Sequence, residues 1–414
     1  MFTIPIPLSY GSQFEGERLR SDDIYLECGG NQSLMVELCV NRSVNALEDG
    51  KTVLNGPTLL DVQAGAVLPL AILVEIAGVH FRTEHTAVIE RQIHRLLNYT
   101  QGIAYAGQRD NARLVISKTA VAKGFQLHHL GIILHSALKH EYATLIDRLQ
   151  VTISTVAEDV EHIGTQARSI YQERDRRIDK MKDESTAVFY SCTMCQSTSP
   201  GHVCIVTPEK SGMCGALNWL DCQVYSQINP IGYCQPVQKG LTLDSISGQW
   251  QGVNARIAQA TACKTNSFNA YSITKTPPTS CNQAECIAAV LPLCNGIMCV
   301  NREYQGITPS GMNFSRLIEL LGGGVSAPGF CGHSKYNIHQ GKFISAEGGI
   351  KRLVWLPQIL KNSIRERFIA RAADIGIPDL LERIADEKVG NTEEEILPFL
   401  AAKNHPALEM ESLV

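Results

Sequence analysis

The stretch Phe189-Tyr190-Ser191-Cys192-Thr193-Met194-Cys195-Gln196-Ser197, followed by Cys204 and Cys214, decides how this chain is read. The pattern Cys192-x2-Cys195-x8-Cys204-x9-Cys214 sets four thiols close in sequence. Such a soft cage favours iron–sulfur clusters, zinc or copper(I) over oxygen-loving cations. The CxxC pair places two sulfurs on one tight loop, and the two later cysteines complete the set. A cubane takes one thiolate per iron, and zinc accepts the same four sulfurs. Zinc sites usually come as two CxxC-type pairs, whereas here one pair is followed by widely spaced singles. The spacing ranks iron–sulfur first, zinc second and plain buried thiols third.

Outward from the cage, the same third of the chain holds most of its sulfur. Twelve of the 14 cysteines lie between Cys192 and Cys331. Beyond the four are Cys222, Cys234, Cys263, Cys281, Cys286, Cys294, Cys299 and Cys331. Buried free cysteine is a common small hydrophobe, so each alone reads as core before ligand. The segment from Pro277 to Cys286 differs: two prolines stiffen the approach to a loop carrying two thiols and the Gln283 amide. That loop is a candidate ligand loop on its residues alone.

Composition is ordinary for a soluble globular protein, with 44% hydrophobic and 19% charged residues among 414. A formal net charge of −4 gives no basic field, which argues against nucleic acid as a partner. The longest apolar candidate, Ala64 to Ile76, is broken by Pro69 and holds Glu75, so no membrane span is expected. The N-terminus lacks a basic segment leading into an apolar run and does not read as a secretory signal. Cysteine spent on a cage, without an export signal, argues for a reducing, anaerobic cytoplasm over a disulfide framework.

Two domains are expected, an α/β domain over 1–183 and a cysteine-rich α+β domain over 184–414. Leu34, Val36, Leu38 and Val40 alternate as a half-buried strand does. Val67 to Ile76 reads as one buried strand, with further strands at Leu114–Ile116 and Gln150–Ile153 and helical spacing at Ile89, Ile93, Leu96 and Leu97. Val160, Ile163, Ala167, Ile170, Ile178 and Met181 mark one face of a long helix whose Glu173–Arg177 charges read as solvated. In the second domain Lys351–Trp355 reads as a strand, Gly322-Gly323-Gly324 as a loop, and Pro378 to Gly390 as a helix. Thr392 with Glu395 forms a capping box for the helix after it. His333 and His339 read as hydrogen-bonding loop residues, Trp219, Trp250 and Trp355 as core, and Arg302-Glu303 as a structural ion pair or domain contact.

These segments together resemble the catalytic subunits of the acetyl-CoA synthase family, the CO-methylating enzymes of the anaerobic acetyl-CoA pathway. The resemblance runs nearly the whole chain: Gln13-Phe14-Glu15-Gly16-Glu17-Arg18, the Phe189–Ser197 cage, Cys214–Trp219, Val300–Gly306, Gly348–Pro357 and the tail His405–Leu408. It implies a 4Fe–4S cubane on Cys192, Cys195, Cys204 and Cys214, with Cys195 also bridging to a proximal nickel. It further implies a distal nickel held by a Cys-Gly-Cys loop through two thiolates and two backbone amide nitrogens. The proximal nickel is where a methyl group from a corrinoid iron–sulfur protein meets CO and coenzyme A takes up the acetyl group.

The loop departs from that pattern, because Thr279-Ser280-Cys281-Asn282-Gln283 stands where the family has Thr-Ser-Cys-Gly-Cys. One thiolate survives as Cys281, which with Cys195 is the expected catalytic pair, and the other is replaced by the amide of Gln283. A neutral amide is a harder donor and cannot bridge two metals. The cubane is therefore expected to survive and the dinickel site to be lost or rebuilt, with Cys286 as a candidate substitute ligand. Thr198, where the family has phenylalanine, alters the expected pocket wall. Bacterial members carry an extra N-terminal domain that docks to CO dehydrogenase. The chain starts past it, as archaeal subunits do, which leaves that docking in doubt.

Three readings follow. One is a paralogous enzyme with the cubane and a second site rebuilt, from nickel or a second cluster, for one-carbon, acyl or thiol chemistry. Another is a working acetyl-CoA synthase with an unusual nickel site. The last is a non-enzymatic iron–sulfur protein that carries electrons or serves as a scaffold, with another redox protein as its partner.

Overall fold

The computed structural model describes residues 4–7, 19–30, 32–197, 199, 201–275, 281–321 and 327–413. The expectations placed on Gln13–Arg18, Thr198, Pro277–Ser280 and Gly322–Gly324 lie outside the described residues. The chain divides into two compact units, Met1–Arg176 and Arg177–Val414. The observed class is mixed α/β, with several sheets and helices in alternation.

In the first unit the strands are β1 (Ile24–Gly29), β2 (Met35–Asn41), β3 (Thr52–Asn55), β4 (Ala66–Leu68), β5 (Leu70–Ala77), β6 (Ile103–Gln108), β7 (Asn111–Ser117) and β8 (Arg148–Ser154). The helices are α1 (His85–Asn98), α2 (Lys118–Ala122), α3 (His128–Glu141) and α4 (Ala157–Arg176). Two four-stranded sheets result, in the orders β4-β1-β7-β6 and β2-β5-β8-β3. Alternation in β2 sets Val36, Leu38 and Val40 against Val160, Ile163, Ala167 and Tyr171 of α4 in one apolar cluster.

Three expectations need correction here. The single strand from Val67 to Ile76 is two, β4 and β5, which belong to different sheets and part at Pro69. Proline has no N–H to give a ladder, so a central strand does not run through it. The long helix ends at Arg176, before Ile178 and Met181. Its charged run is not wholly solvated either: Arg174 is buried and its Nη1 lies 2.7 Å from Glu90 Oε1.

The second unit begins with β9 (Val188–Cys192), β10 (Cys204–Val206), α5 (Trp219–Ile228), β11 (Cys234–Gln238), β12 (Thr242–Asp244), β13 (Gln249–Trp250) and α6 (Gln251–Ala260). It continues with β14 (Cys286–Leu291), β15 (Gly296–Asn301), α7 (Phe314–Leu321), β16 (Phe330–His333), β17 (Leu353–Trp355), α8 (Gln358–Asp374), α9 (Leu380–Arg383) and α10 (Glu393–Ala402). One sheet runs β10-β9-β11 and another β16-β14-β15-β17. Trp219, Trp250 and Trp355 are all buried.

Two more expectations change in this unit. Residues Gly349–Arg352 form a 3-10 turn, so the strand expected from Lys351 starts at Leu353. The helix expected from Pro378 to Gly390 is only the four residues of α9. After it Ala385 bridges to Trp355, with Ala385 N donating to Val354 O at 2.9 Å and Leu356 N to Ala385 O at 3.1 Å. Those sheet bonds take backbone groups that a longer helix would have used. The capping box is as expected, with Thr392 Oγ1 accepting from Glu395 N and Glu395 Oε2 accepting from Thr392 N, both at 3.2 Å.

Candidate metal centre

Four cysteines expected to act together arrive by different local routes. Cys192 ends the central strand β9 and stands opposite Cys204, the first residue of β10, in an antiparallel ladder. Cys195 lies on a 3-10 turn, Met194–Ser197, just beyond β9. Thr193 N donates to Tyr233 O at 3.0 Å, which fixes the entry to that turn. Cys214 sits in a turn closed by Gly212 N to Leu217 O at 2.8 Å and Gly215 N to Gly212 O at 3.0 Å. Gly215 is at φ +74, a backbone region that side chains with a Cβ rarely enter. Met213 N points at Cys204 Sγ, 3.4 Å away.

The loop expected to carry the second site meets the first. The Cys281 thiol hydrogen-bonds with Cys195, and Cys204 also bears on it electrostatically. Cys281 Sγ accepts from Gln283 N at 3.2 Å. Asn282 N donates to Ser199 Oγ at 3.2 Å, and Ser199 Oγ lies 3.3 Å from Asn282 Oδ1. Both backbone N–H groups after Cys281 are thus engaged as donors. Gln283 is itself buried.

Further residues hold the two loops together. Glu285 N donates to Met213 O at 2.9 Å, while the Glu285 carboxylate accepts from Lys335 N at 2.9 Å and pairs with Lys335 Nζ at 3.3 Å. Arg302 Nη2 makes long hydrogen bonds to Asn282 O at 3.4 Å and Ala284 O at 3.5 Å. Arg302 is therefore a brace for the 281–284 backbone.

Cys286 is placed elsewhere. It opens β14, fully buried, in an apolar cluster with Ile273, Ala288, Cys299 and Cys331. Cys299 and Cys331 both stand opposite Ala288, on the strands either side of β14. Burial raises all three thiols well above the ordinary range, Cys331 to about 12. They read as small hydrophobes.

Spacing gave no hint of another neighbour of the cage. Cys234 stands opposite Cys192 on the other flank of β9 and also hydrogen-bonds with it. Its sulfur lies 3.5 Å from that of Cys222 on α5. Only the strand register brings these residues to Cys192, and register is a long-range property.

Burial dominates the electrostatics of the cage. It pushes the Cys204 and Cys281 thiols well above their usual range, and neighbouring sulfurs add to the push. Without a metal these groups are neutral thiols; a coordinating metal deprotonates them and releases the protons. Among the described residues no three His, Cys, Asp or Glu side chains converge as they would on one metal ion. His333 is buried and His339 half-buried, and desolvation lowers their pKa values to about 4 and about 3.

The family model for the C-terminal part of the ACS/CODH beta subunit matches residues 171–414, and the model for the beta subunit of the CO dehydrogenase/acetyl-CoA synthase complex matches residues 6–160. The chain is 43% identical over 412 residues to the carbon monoxide dehydrogenase/acetyl-CoA synthase subunit alpha of Moorella thermoacetica, covering 99% of this chain and 56% of that one. The chain thus spans little more than half the length of that relative. It is 35% identical over 405 residues to the acetyl-CoA decarbonylase/synthase complex subunit beta of Methanopyrus kandleri, covering 98% of this chain and 85% of that one. A solved C-terminal domain of the alpha subunit of acetyl-coenzyme A synthase is 46% identical, with a TM-score of 0.31, and covers 33% of this chain and 100% of its own.

Proposed function

Because the chain belongs to the CO dehydrogenase/acetyl-CoA synthase beta-subunit family, we propose that it is an acetyl-CoA-synthase-like iron–sulfur protein with a rebuilt second site. Its cubane would be held by Cys192, Cys195, Cys204 and Cys214. The donor set suits that group: four thiols at one end of a sheet and in two adjoining turns, with Met213 N–H directed at one sulfur. A cubane takes one thiolate at each iron, so its ligands stand apart around the cluster and need not converge on one atom.

The residues present do not fit the family's dinickel arrangement. That arrangement needs a second thiolate where Gln283 stands and two backbone nitrogens free of their protons. Here those nitrogens donate to Ser199 Oγ and Cys281 Sγ. Cys286 gives no replacement, since it packs within the apolar core. The contact between Cys281 and Cys195 is the observation that carries the proposal, because it sets one unspent thiol against a cage ligand. When bound, the cubane supplies one-electron redox chemistry. The chain's own part is to hold Cys281 beside it through the Gln283 N–H and to brace that loop with Arg302. One-carbon, acyl or thiol chemistry at Cys281, with coenzyme A among its substrates and a corrinoid or other redox protein as partner, is the activity this arrangement suits. Nothing in the geometry favours a plain electron carrier, which needs no second thiol.

An anaerobic count of iron, nickel and acid-labile sulfide tests this. About four irons and no stoichiometric nickel per chain is the expected result. The Asn282→Gly/Gln283→Cys variant should then gain nickel. Nickel bound equally by both chains would refute the role given to Gln283, and would make a working synthase the better reading.

A further inference from the structure

A cavity of about 20 Å³ lies in the second unit, lined by Lys210, Cys331, His333 and Asn337 with Tyr271 and Phe343. Lys210, His333 and Asn337 are each more than nine-tenths buried. The loop between Cys204 and Cys214 folds into a tight turn, with Thr207 N to Lys210 O at 2.9 Å and Lys210 N to Thr207 O at 3.2 Å. Lys210 therefore projects from between two cage ligands.

Its ammonium has no partner among the described residues. Lys210 makes no side-chain hydrogen bond or ion pair there, unlike its neighbour Glu209, which binds Lys182 at 3.1 Å, Lys342 at 2.8 Å and Asp183 N at 3.1 Å. Glu347, the other nearby acid, has Oε1 taken by Ser272, Ile273 and Thr274 and Oε2 unsatisfied, and it forms no ion pair with Lys210. A buried charge without a paired acid is costly; Glu209 lines the same cavity but is spent on other cations, so a further negative charge nearby would stabilise Lys210.

Two further polar atoms in the cavity lack partners. Asn337 Oδ1 accepts from Ser211 N at 3.0 Å and Ser211 Oγ at 2.9 Å, which leaves the Nδ2 donor unsatisfied. His333 Nδ1 lies 2.9 Å from Ser334 O, and a carbonyl can only accept, so the proton is on Nδ1. Nε2 is then a bare acceptor, and it is unsatisfied. A ligand that takes hydrogen bonds from Lys210 and Asn337 and gives one to His333 is a water molecule. The volume suits it, since roughly 10–15 Å³ is enough for one.

We propose that Lys210, hydrogen-bonded through a resident water, is the fixed positive counter-charge of the cluster on its Cys204 side. This rests on the cubane reading given above. A thiolate-ligated cubane is anionic, and the turn that carries Lys210 runs directly on from Cys204 to Cys214. The ammonium already acts on the Cys204 and Cys331 thiols, lowering both against the larger upward push of burial. A cation beside a cluster stabilises its reduced, more negative state and so raises its potential.

The test uses the full chain, natural and Lys210→Met, loaded anaerobically and titrated potentiometrically with EPR detection. Loss of the charge should shift the cluster to a more negative potential at equal iron content. An unchanged potential at equal iron would overturn the proposal and leave the cubane reading intact. A natural chain that takes up no cluster would sink that reading and the proposal with it. A second measurement uses the cluster-free chains. There Lys210 has no counter-charge, so Lys210→Met should melt no lower than the natural chain. A lower melting temperature, or a variant that accumulates only as insoluble chain, would mean that Lys210 has another partner and would overturn the proposal.

Discussion

Gly215→Ala tests how tightly the cage is tied to the 281–285 loop. Gly215 follows Cys214 at φ +74, and a Cβ built there would lie 2.4 Å from Glu285 Oε2. The left-handed backbone alone costs an alanine about 1–2 kcal/mol. Relieving the overlap means moving the Glu285 carboxylate by several tenths of an ångström. That carboxylate is nearly buried and bonded to both Lys335 N and Lys335 Nζ. Losing one such charge-assisted bond costs about 1.5–3 kcal/mol. The sum is about 2.5–5 kcal/mol, large against the total stability of a domain. Urea unfolding followed by circular dichroism measures it, and iron content after anaerobic loading should fall in parallel because Cys214 moves with its neighbour. Glu285→Ala in the same chain should remove the overlap contribution and leave the backbone cost. A single variant as stable and as iron-rich as the natural chain would refute the reasoning.

Other predictions concern pH and caps. Burial, with Glu90 adding to it, pushes Glu37 up to about 8 against the opposing bonds from Tyr105 and Arg109 N. The folded state then holds a proton that the unfolded state releases near pH 4.3, so Glu37 lowers the stability of the first unit progressively as pH rises from there to about 8. Glu37→Gln should therefore stabilise the chain at pH 8 and gain nothing at pH 4, as read by thermal melts across that range. In the second unit His333 and His405 are held neutral to about 4 by burial and His339 to about 3. Here the unfolded state binds the protons first, so stability should be full above pH 6.5 and fall below it, by up to about 1.4 kcal/mol per pH unit for each histidine. Replacing His405 should flatten that acid slope in urea titrations. Thr392→Ala removes the Oγ1 acceptor for Glu395 N at the start of α10 and should cost about 1 kcal/mol in the same assay.

What could be read beforehand was what neighbours in sequence decide. The box at Thr392 and Glu395 is a four-residue interaction, so it was legible. Alternation in β2 was equally local, but it read as half-buried a strand that is buried on both faces, because Glu37 and Cys39 on the second face are covered as well. Pro378 to Gly390 misled because the pattern is helical while Ala385 is claimed by Trp355, thirty residues earlier. Arg174 misled in the same way, since Glu90 lies 84 residues away. In the candidate site, spacing singled out four cysteines, and strand pairing sets two of them, Cys192 and Cys204, opposite each other. Spacing could not place Cys234 opposite Cys192, set Cys286 in the core, or find Lys210, because strand pairing and burial decide those.

The pairing of Cys192 with Cys204 across β9 and β10 makes the sulfur positions a question of parity. Side chains alternate between the two faces of a sheet with a period of two, so a slip of one residue in either strand turns one sulfur away from the other. The residues joining the two strands are free of that rule, but Cys195 and Ser199 lie among them and face the Cys281 loop. Within the strands, changes of length should therefore be punished one residue at a time and by odd steps more than even ones, whereas between them the ladder would keep its register and the cost would fall on the placing of Cys195.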